Sequence, residues 1–220
     1  MAGKRTYGDS CGVARALDLV GERWALLVVR ELLLGPKRFT DLRTGLVQLG
    51  PDVLSQRLRE LEQAGIVRRR TLAPPAGSRV YELTDWGREL EPVVLALGRW
   101  GSRAPFPDGD RRLGVDASML ALKTMFAPAA AAGVTATVAL RLGDQQFVAR
   151  VCDGALQLAR GDAAAPDAVI ATDPGTLAAV LWHGRALAEA QAAGDLAIDG
   201  SVPAAQRFLG LFAVPRPAAA

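Results

Sequence analysis

A predicted helix with a short, polar face carries the clearest chemistry in this sequence. Between Gly50-Pro51 and Gly65, leucines recur at i, i+4 and i+7 and define one apolar side of the helix, namely Leu54, Leu58 and Leu61. The opposite side carries side chains that donate or accept hydrogen bonds: Asp52, Ser55, Gln56, Arg59 and Gln63, with Arg57 on the flank. Gln and Arg side chains can bond base edges in the major groove, and Ser can bond a base or a phosphate. The pattern therefore predicts a helix that reads double-stranded DNA.

The elements that would position this face precede it in the chain. Apolar residues at helical spacing predict a helix near Gly12–Val20, and a second, apolar on nearly every face, at about Trp24–Leu34. A short third helix, Phe39–Gly45, brings Arg38 and Thr40 to the side of the reading helix. A short helix, a turn and a second helix form the arrangement that enters the major groove. The alternative is an ordinary solvated helix face.

A basic hairpin follows the reading helix. Residues 66–72 and 79–83 alternate as two strands around a turn at Pro74–Ser78, and arginines occupy positions 68, 69, 70 and 79. As a wing, the hairpin would lay Arg79 and one or more of Arg68–Arg70, Arg69 among them, along the minor groove or the phosphate backbone. The alternative is a hairpin that only covers the core.

The next segment predicts one more amphipathic helix in this half of the chain. Thr84 is placed as its N-cap, Pro92 is expected to kink it, and its apolar positions stay in register through Trp100. Such a helix either covers its own domain or pairs with a second copy. Since two reading helices one DNA turn apart read a two-fold site, we expect a homodimer.

These segments, in this order and spacing, resemble the HxlR-type winged helix-turn-helix regulators, relatives of the MarR group. The resemblance rests on residues 11–24, 38–42, 54–67 and 81–87. It implies a homodimer on promoter DNA, with Pro51–Ala64 as reader and the hairpin as wing. It also places Cys11 where some such proteins carry a redox or electrophile sensor, although a lone cysteine at a helix start is more often inert. One departure is a proline-rich wing tip without lysine.

Charge and composition divide the chain into two predicted domains. The net charge is +3, but residues 1–104 carry +5 and residues 105–220 carry −2, so the basic half is the one expected to meet a polyanion. We predict a mainly α winged helix-turn-helix domain over 1–101, a linker over 102–112 with two prolines and five charges, a second domain over 113–214 and a tail over 215–220.

The second domain predicts an α+β fold. Residues 134–142, 146–152, 155–160 and 168–172 alternate as strands joined by Gly-Asp and Asp-Gly turns, and a helix begins at Asp173-Pro174. The pattern, with the stretch 194–200, resembles the sterol-carrier-protein fold and implies an apolar ligand cavity. Its predicted lining is Met119, Leu122, Met125, Phe126, Trp182, Phe208 and Phe212. The alternative is that these side chains fill a packed core.

Several functions are disfavoured by what the sequence lacks. With one histidine, two cysteines (Cys11 and Cys152) and no metal or nucleotide motif, we expect no metal, no cofactor and no enzyme. The apolar runs are shorter than the roughly 20 residues that cross a bilayer, so we expect a cytoplasmic protein with no membrane partner. The leading hypothesis is a regulator whose DNA affinity responds to an apolar effector. The rival is a lipid or metabolite carrier that uses its first domain only to dimerise.

Overall fold

The computed structural model describes residues 6–104, 113–216 and 218. Most of the predicted linker, residues 105–112, and three positions of the predicted tail lie outside the described residues. Backbone proximity divides the chain into two compact units, Met1–Val94 and Leu95–Ala220. Each unit is described by itself below.

The first unit consists of helices followed by a hairpin. Its helices are α1 Gly12–Val20, α2 Ala25–Leu32, α3 Phe39–Gly45, α4 Pro51–Gln63 and α5 Asp85–Arg88, and its strands are β1 Val67–Thr71 and β2 Arg79–Leu83. The strands pair antiparallel, with Arg68 opposite Glu82 and Arg70 opposite Val80. The predicted bounds of α1, α3 and β2 are confirmed, and α4 ends one residue earlier than predicted.

Helix α4 begins and ends where its sequence dictates. Gly50 adopts an extended N-cap conformation and Pro51 occupies the first helical position, where its missing N–H costs no hydrogen bond. Gly65 follows the helix with a positive φ of 72°, a conformation that glycine adopts without a Cβ penalty. The apolar side of α4 is fully buried against the first core, with Leu54 and Leu58 at 0% exposure. This burial fixes which side of the helix faces solvent.

The predicted single helix after Thr84 is wrong in one respect, because Pro92 does not kink a continuous helix. Helix α5 ends at Arg88, and a new helix, α6, spans Glu91–Gly101. Pro92 lies in the first turn of α6, where proline is tolerated because that turn has no intrahelical acceptor for its N–H. The predicted cap is confirmed: Thr84 Oγ1 accepts from the Gly87 N–H at 3.0 Å.

The second unit is a five-stranded mixed sheet with helices. Its strands are β3 Ala136–Leu142, β4 Gln145–Cys152, β5 Ala155–Arg160, β6 Ala168–Thr172 and β7 Leu196–Gly200, in spatial order β5-β4-β3-β6-β7. Strands β3 and β6 are parallel, and the other pairs are antiparallel. Its helices are α7 Val115–Met125, α8 Pro174–Trp182, α9 Leu187–Ala192 and α10 Val202–Leu209. The predicted α+β class is confirmed.

Helix α7 is the most buried helix of the second unit. Met119 and Leu122 are fully buried, and the buried Asp116 is held by an ion pair with Arg160 of β5. At the other end, Arg99 donates to the carbonyl oxygens of Thr124 and Phe126 at 2.7 and 3.2 Å. A cation at a helix C-terminus satisfies carbonyl groups that lack an intrahelical partner. No helix among the described residues is long and apolar enough to cross a membrane.

Candidate nucleic-acid interface

The solvent-facing side of α4 carries four of the predicted DNA contacts. Asp52, Gln56 and Arg59 are exposed, and Ser55 is half-buried. Arg59 Nη2 donates to Gln56 Oε1 at 2.7 Å, and Gln56 Nε2 donates to Glu60 Oε1 at 2.6 Å. These bonds hold the two long side chains side by side along the outer face. The face thus offers both donors and acceptors at fixed positions, as base-edge recognition requires.

Arg57 lies apart from this face. Its side chain is 13% exposed and forms ion pairs with Glu60 at 2.5 Å and with Glu22 at 3.6 Å. Its Nε is buried and has no hydrogen-bond partner in the part of the chain that the structure describes. Sequence spacing placed Arg57 on the flank of the helix, but the packing against the end of α1 turns its guanidinium inward. The geometry assigns Arg57 to the fold and leaves Arg59 as the exposed arginine of α4.

The start of α3 contributes two further predicted contacts. Arg38 is the N-cap residue of α3, and its exposed side chain approaches Asp41 with an Nε–Oδ2 distance of 3.3 Å. Thr40 is exposed on the first turn. Arg43, which is exposed in the last turn of the same helix, is not among the contacts predicted from the sequence. The signal was available, because Arg43 follows Thr40 by three residues and so shares its side of the helix.

The wing arginines are all exposed, but all except one have carboxylate partners. Arg69 Nη2 lies 2.9 Å from Glu62, and its guanidinium stacks 5.3 Å from the ring centroid of Tyr81. Arg68 and Arg70 both pair with Glu82. The side chain of Arg79, the first residue of β2, has no ion-pair or hydrogen-bond partner among the described residues, although its backbone pairs with Thr71. Glu62 and Glu82 are not among the residues singled out from the sequence, although the Arg68–Glu82 pairing follows from the hairpin register.

A buried ion pair anchors the base of the wing. Glu31 of α2, which is 1% exposed, accepts from Lys37 Nζ at 2.6 Å and from Arg30 at 2.8 Å. The backbone of Lys37 exchanges two hydrogen bonds with Tyr81 of β2, at 2.8 and 2.9 Å. Gly45 lies so close to the Glu31 carboxylate that a Cβ there would meet Oε2 at 2.2 Å. The same carboxylate therefore fixes α2, the end of α3 and the wing relative to one another.

The two cysteines are both free and exposed. Cys11 is the N-cap residue of α1, and its N–H donates to Asp9 Oδ1 at 2.8 Å. The hydrogen bond with Asp153 and the negative charge of that carboxylate raise the pKa of the Cys152 thiol. Cys152 is therefore the less reactive kind of site, since the thiolate is the nucleophile. The sensing role predicted for Cys11 stays a prediction.

Most of the residues predicted to line an apolar cavity are buried in the second unit. Six are buried, namely Met119, Leu122, Met125, Phe126, Phe208 and Phe212. The ring of Phe212 lies 5.0 Å from that of Phe208 and 6.1 Å from that of Phe126, so the aromatic side chains pack on one another. Trp182 differs, because its side chain is half-buried while its Nε1 is buried without a hydrogen-bond partner among the described residues.

A metal centre receives no support in the part of the chain that the structure describes. No group of three or more histidine, cysteine, aspartate or glutamate side chains converges there. The exposed side chains that could bind a nucleic acid lie on the outer face of α4, at the start of α3 and on the hairpin. A short helix, a turn, an exposed second helix and a basic hairpin define a winged helix-turn-helix protein.

Comparisons with known proteins agree with this class. The family model described as HxlR-like helix-turn-helix matches residues 19–106. The HTH-type transcriptional regulator YvaP of Bacillus subtilis is 36% identical over 88 residues, which cover 40% of this chain and 82% of YvaP. The chain therefore belongs to the HxlR-like helix-turn-helix family, and its first domain is that of a transcriptional regulator. The regulator Mb3122 of Mycobacterium bovis is 41% identical over 106 residues, covering 48% of this chain and 65% of that protein.

Solved structures resemble each half of the chain separately. The quinone-bound YodB of B. subtilis is 32% identical and covers 41% of this chain and 96% of its own, with a TM-score of 0.36. In the second half, a model of the alkyl sulfatase C-terminal family matches residues 119–218. A double mutant of the sec-alkyl sulfatase PisA1 is 21% identical and covers 46% of this chain and 16% of its own, with a TM-score of 0.42.

Proposed function

We propose that this regulator reads a specific duplex sequence with the outer face of α4 and grips the flanking backbone with its wing. The observation that carries the proposal is the division of α4 into a fully buried leucine side and an exposed hydrogen-bonding side. A helix that served only to fill the core would not need Gln56 and Arg59 to be held in register by hydrogen bonds. The proposed base contacts are made by Asp52, Ser55, Gln56 and Arg59.

The proposed backbone contacts surround this face. Arg38 and Thr40 stand at the start of α3, and Arg69 and Arg79 stand on the hairpin. Guanidinium and hydroxyl groups of this kind fix the register of a protein on DNA without reading sequence. Arg57 is left out of the contact set, because its guanidinium is ion-paired and mostly buried.

Selection from a random duplex pool tests this function without knowledge of the natural operator. We expect a defined sequence to be enriched, and we expect its affinity to fall as salt rises, because phosphate contacts release counterions. An enriched pool that binds no better than the starting pool would contradict sequence-specific recognition. Binding that is equally tight for every duplex would reduce the proposal to electrostatic attraction.

We also propose that the active species is a homodimer. Helix α1 exposes Val13 and Leu17 on one side, and α6 exposes Val93, Leu97 and Trp100 at i, i+4 and i+7. Apolar side chains exposed along one side of a helix are typical of an interface. Sedimentation velocity is expected to give a dimer, and the enriched sequence is expected to have two-fold symmetry. A monomer on an asymmetric site would contradict the dimer.

A second proposal concerns an effector of the C-terminal domain. We propose that this domain has a sterol-carrier-like fold and binds an apolar molecule that changes DNA affinity. Support comes from α8, whose residues Ala178–Trp182 are all half-exposed although all are apolar, and from the unpaired Nε1 of Trp182. A buried donor without an acceptor costs about 1–3 kcal/mol, which a ligand oxygen would recover.

Oleic acid is a suitable first probe for this effector site. We expect it to raise the thermal unfolding midpoint and to change the affinity of the enriched duplex, since a ligand that favours one state shifts the equilibrium between states. Trp182→Phe keeps an aromatic side chain but replaces the indole with a smaller phenyl ring that has no N–H donor, so the shift is expected to shrink in this variant. Full binding of oleic acid without any effect on DNA affinity would favour the rival function, a lipid carrier.

A further inference from the structure

The hairpin contains a buried carboxylate that contacts two of its arginines. Glu82 is 5% exposed and lies directly across the hairpin from Arg68. Its Oε1 is 2.8 Å from Arg68 Nε, and its Oε2 is 3.1 Å from Arg70 Nε. The arginine side chains themselves are 58% and 50% exposed. One carboxylate therefore holds two outward-facing guanidinium groups.

The geometry of these contacts leaves the outer edge of each guanidinium available. The closest contact of each arginine with Glu82 is through Nε, a hydrogen bond from Arg68 and an ion pair with Arg70, and the terminal amino groups of both arginines form no hydrogen bond with the described residues. Those amino groups form the fork that binds a phosphate oxygen pair. Arg68 and Arg70 point to the same side of β1, since they are two residues apart on a strand. The Glu82 charge between them offsets the repulsion that two adjacent cations would otherwise feel.

A carboxylate beside cations that meet DNA has two opposite consequences. It lowers the positive charge of the wing, which weakens attraction to phosphate. It also orders two flexible side chains before binding, and this removes part of the conformational entropy that association would cost. Burial of Glu82 favours the second effect, because a carboxylate that served only to reduce charge would not need to be buried.

We propose that Glu82 is a positioning residue that holds Arg68 and Arg70 as a preformed pair of phosphate contacts. The inference rests on the proposed DNA binding by the wing, and it adds Arg68 and Arg70 to the contacts expected there. Removing this negative charge from the first domain is therefore expected to weaken, and not to strengthen, binding to a polyanion.

Glu82→Gln is the variant that separates the two effects. Glutamine has nearly the same shape, but it keeps one acceptor oxygen and turns an NH₂ donor towards the second guanidinium. We expect about tenfold weaker binding to the duplex enriched by selection, because two side chains lose their preset positions. We also expect the slope of log affinity against log salt to become shallower by about one phosphate contact. Asp85→Asn is the control, since Asp85 is fully exposed, pairs with Arg88 and contacts no wing arginine.

A double-mutant cycle distinguishes positioning from a general loss of structure. In the Arg68→Ala/Arg70→Ala background, Glu82→Gln is expected to have no further effect on affinity, because Glu82 acts through these two side chains. An equal loss in both backgrounds would assign Glu82 a purely structural role and overturn the proposal. Binding by Glu82→Gln as tight as wild type, or tighter, would overturn it as well. If the wild-type protein binds no duplex at all, the proposed function itself fails.

Discussion

Two arginines of α4, Arg57 and Arg59, provide the sharpest test of which side chains of this helix contact DNA. Arg57 and Arg59 carry the same charge on the same helix, so replacing either with alanine changes the net charge equally. Arg59 is exposed and donates a hydrogen bond to Gln56, whereas Arg57 is 13% exposed and pairs with Glu60 and Glu22. We therefore expect Arg59→Ala to impair DNA binding and Arg57→Ala to impair folding stability.

The magnitudes follow from these environments. A bidentate arginine contact to a base is worth about 1–3 kcal/mol of discrimination, so Arg59→Ala should weaken binding by roughly 5- to 150-fold per half-site. Its effect on stability should stay within about 0.5 kcal/mol, as is usual for an exposed side chain. Breaking a buried ion pair costs about 3–5 kcal/mol. Because Glu60 and Glu22 are 31% and 61% exposed, we reduce this to about 1–2 kcal/mol for Arg57→Ala.

Fluorescence polarisation with the selected duplex and urea denaturation of the free protein measure the two effects separately. Affinities must be compared at matched salt and at a temperature where both variants are folded. The reasoning is refuted if Arg59→Ala binds as tightly as wild type. It is also refuted if Arg57→Ala loses affinity to the same extent while its unfolding free energy is unchanged, since Arg57 would then contact DNA directly.

Three further predictions concern the caps and the second cysteine. Thr84→Ala should lower the unfolding free energy by about 1 kcal/mol, measured by urea denaturation, because Thr84 Oγ1 accepts from Gly87 and also donates to the Gly65 carbonyl oxygen. Partial burial raises the pKa of Asp173, but hydrogen bonds from Thr176 and Gly175 outweigh it and hold the pKa below its usual value. The stabilisation from the charged cap of α8 is therefore fully present above the unfolded pKa of about 3.9, and it is lost as the pH falls through the lower pKa of the folded protein. The thermal unfolding midpoint should consequently fall more between pH 6 and pH 3 in wild type than in Asp173→Asn. Asp153→Asn should lower the raised pKa of Cys152 and speed its alkylation by iodoacetamide, measured by mass spectrometry in a Cys11→Ser background; an unchanged rate would show that Asp153 does not control this thiol.

The sequence predicts the first domain well where local rules agree with one another. Pro51 after Gly50, leucines at helical spacing and Gly65 beyond the last turn all indicate the same helix, and α4 has these bounds. The prediction was wrong at Pro92, where periodicity suggested continuity through the proline. The helical spacing of apolar residues continues across the break, because α6 begins at Glu91, only three residues after α5 ends at Arg88. Periodicity therefore identified the buried side of the segment but not its interruption.

The candidate site was harder to predict than the elements that carry it. Helical spacing places Arg57 only on a flank, and its inward orientation depends on Glu22, which lies 35 positions earlier in the chain. The pairing of Glu82 with the wing arginines depends on the strand register, and the pairing of Glu62 with Arg69 depends on where the end of α4 lies. Charge counts alone cannot supply this information, because they do not distinguish a free arginine from a paired one. Long-range pairing, and not residue type, decides which cations are held by a carboxylate and which are not.

This pairing has a consequence for how the regulator achieves specificity. Among the described arginines at the start of α3, in α3, in α4 and in the hairpin, those without a carboxylate partner are Arg43, Arg59 and Arg79. Non-specific affinity for DNA grows with the number of neutralised phosphates. We therefore expect a surface whose other arginines are already paired with glutamate or aspartate to bind non-specific DNA weakly, while its paired guanidinium groups stay in fixed positions. We expect such a surface to favour the one sequence whose phosphates and base edges match those positions, so that the acidic residues raise specificity by lowering non-specific affinity.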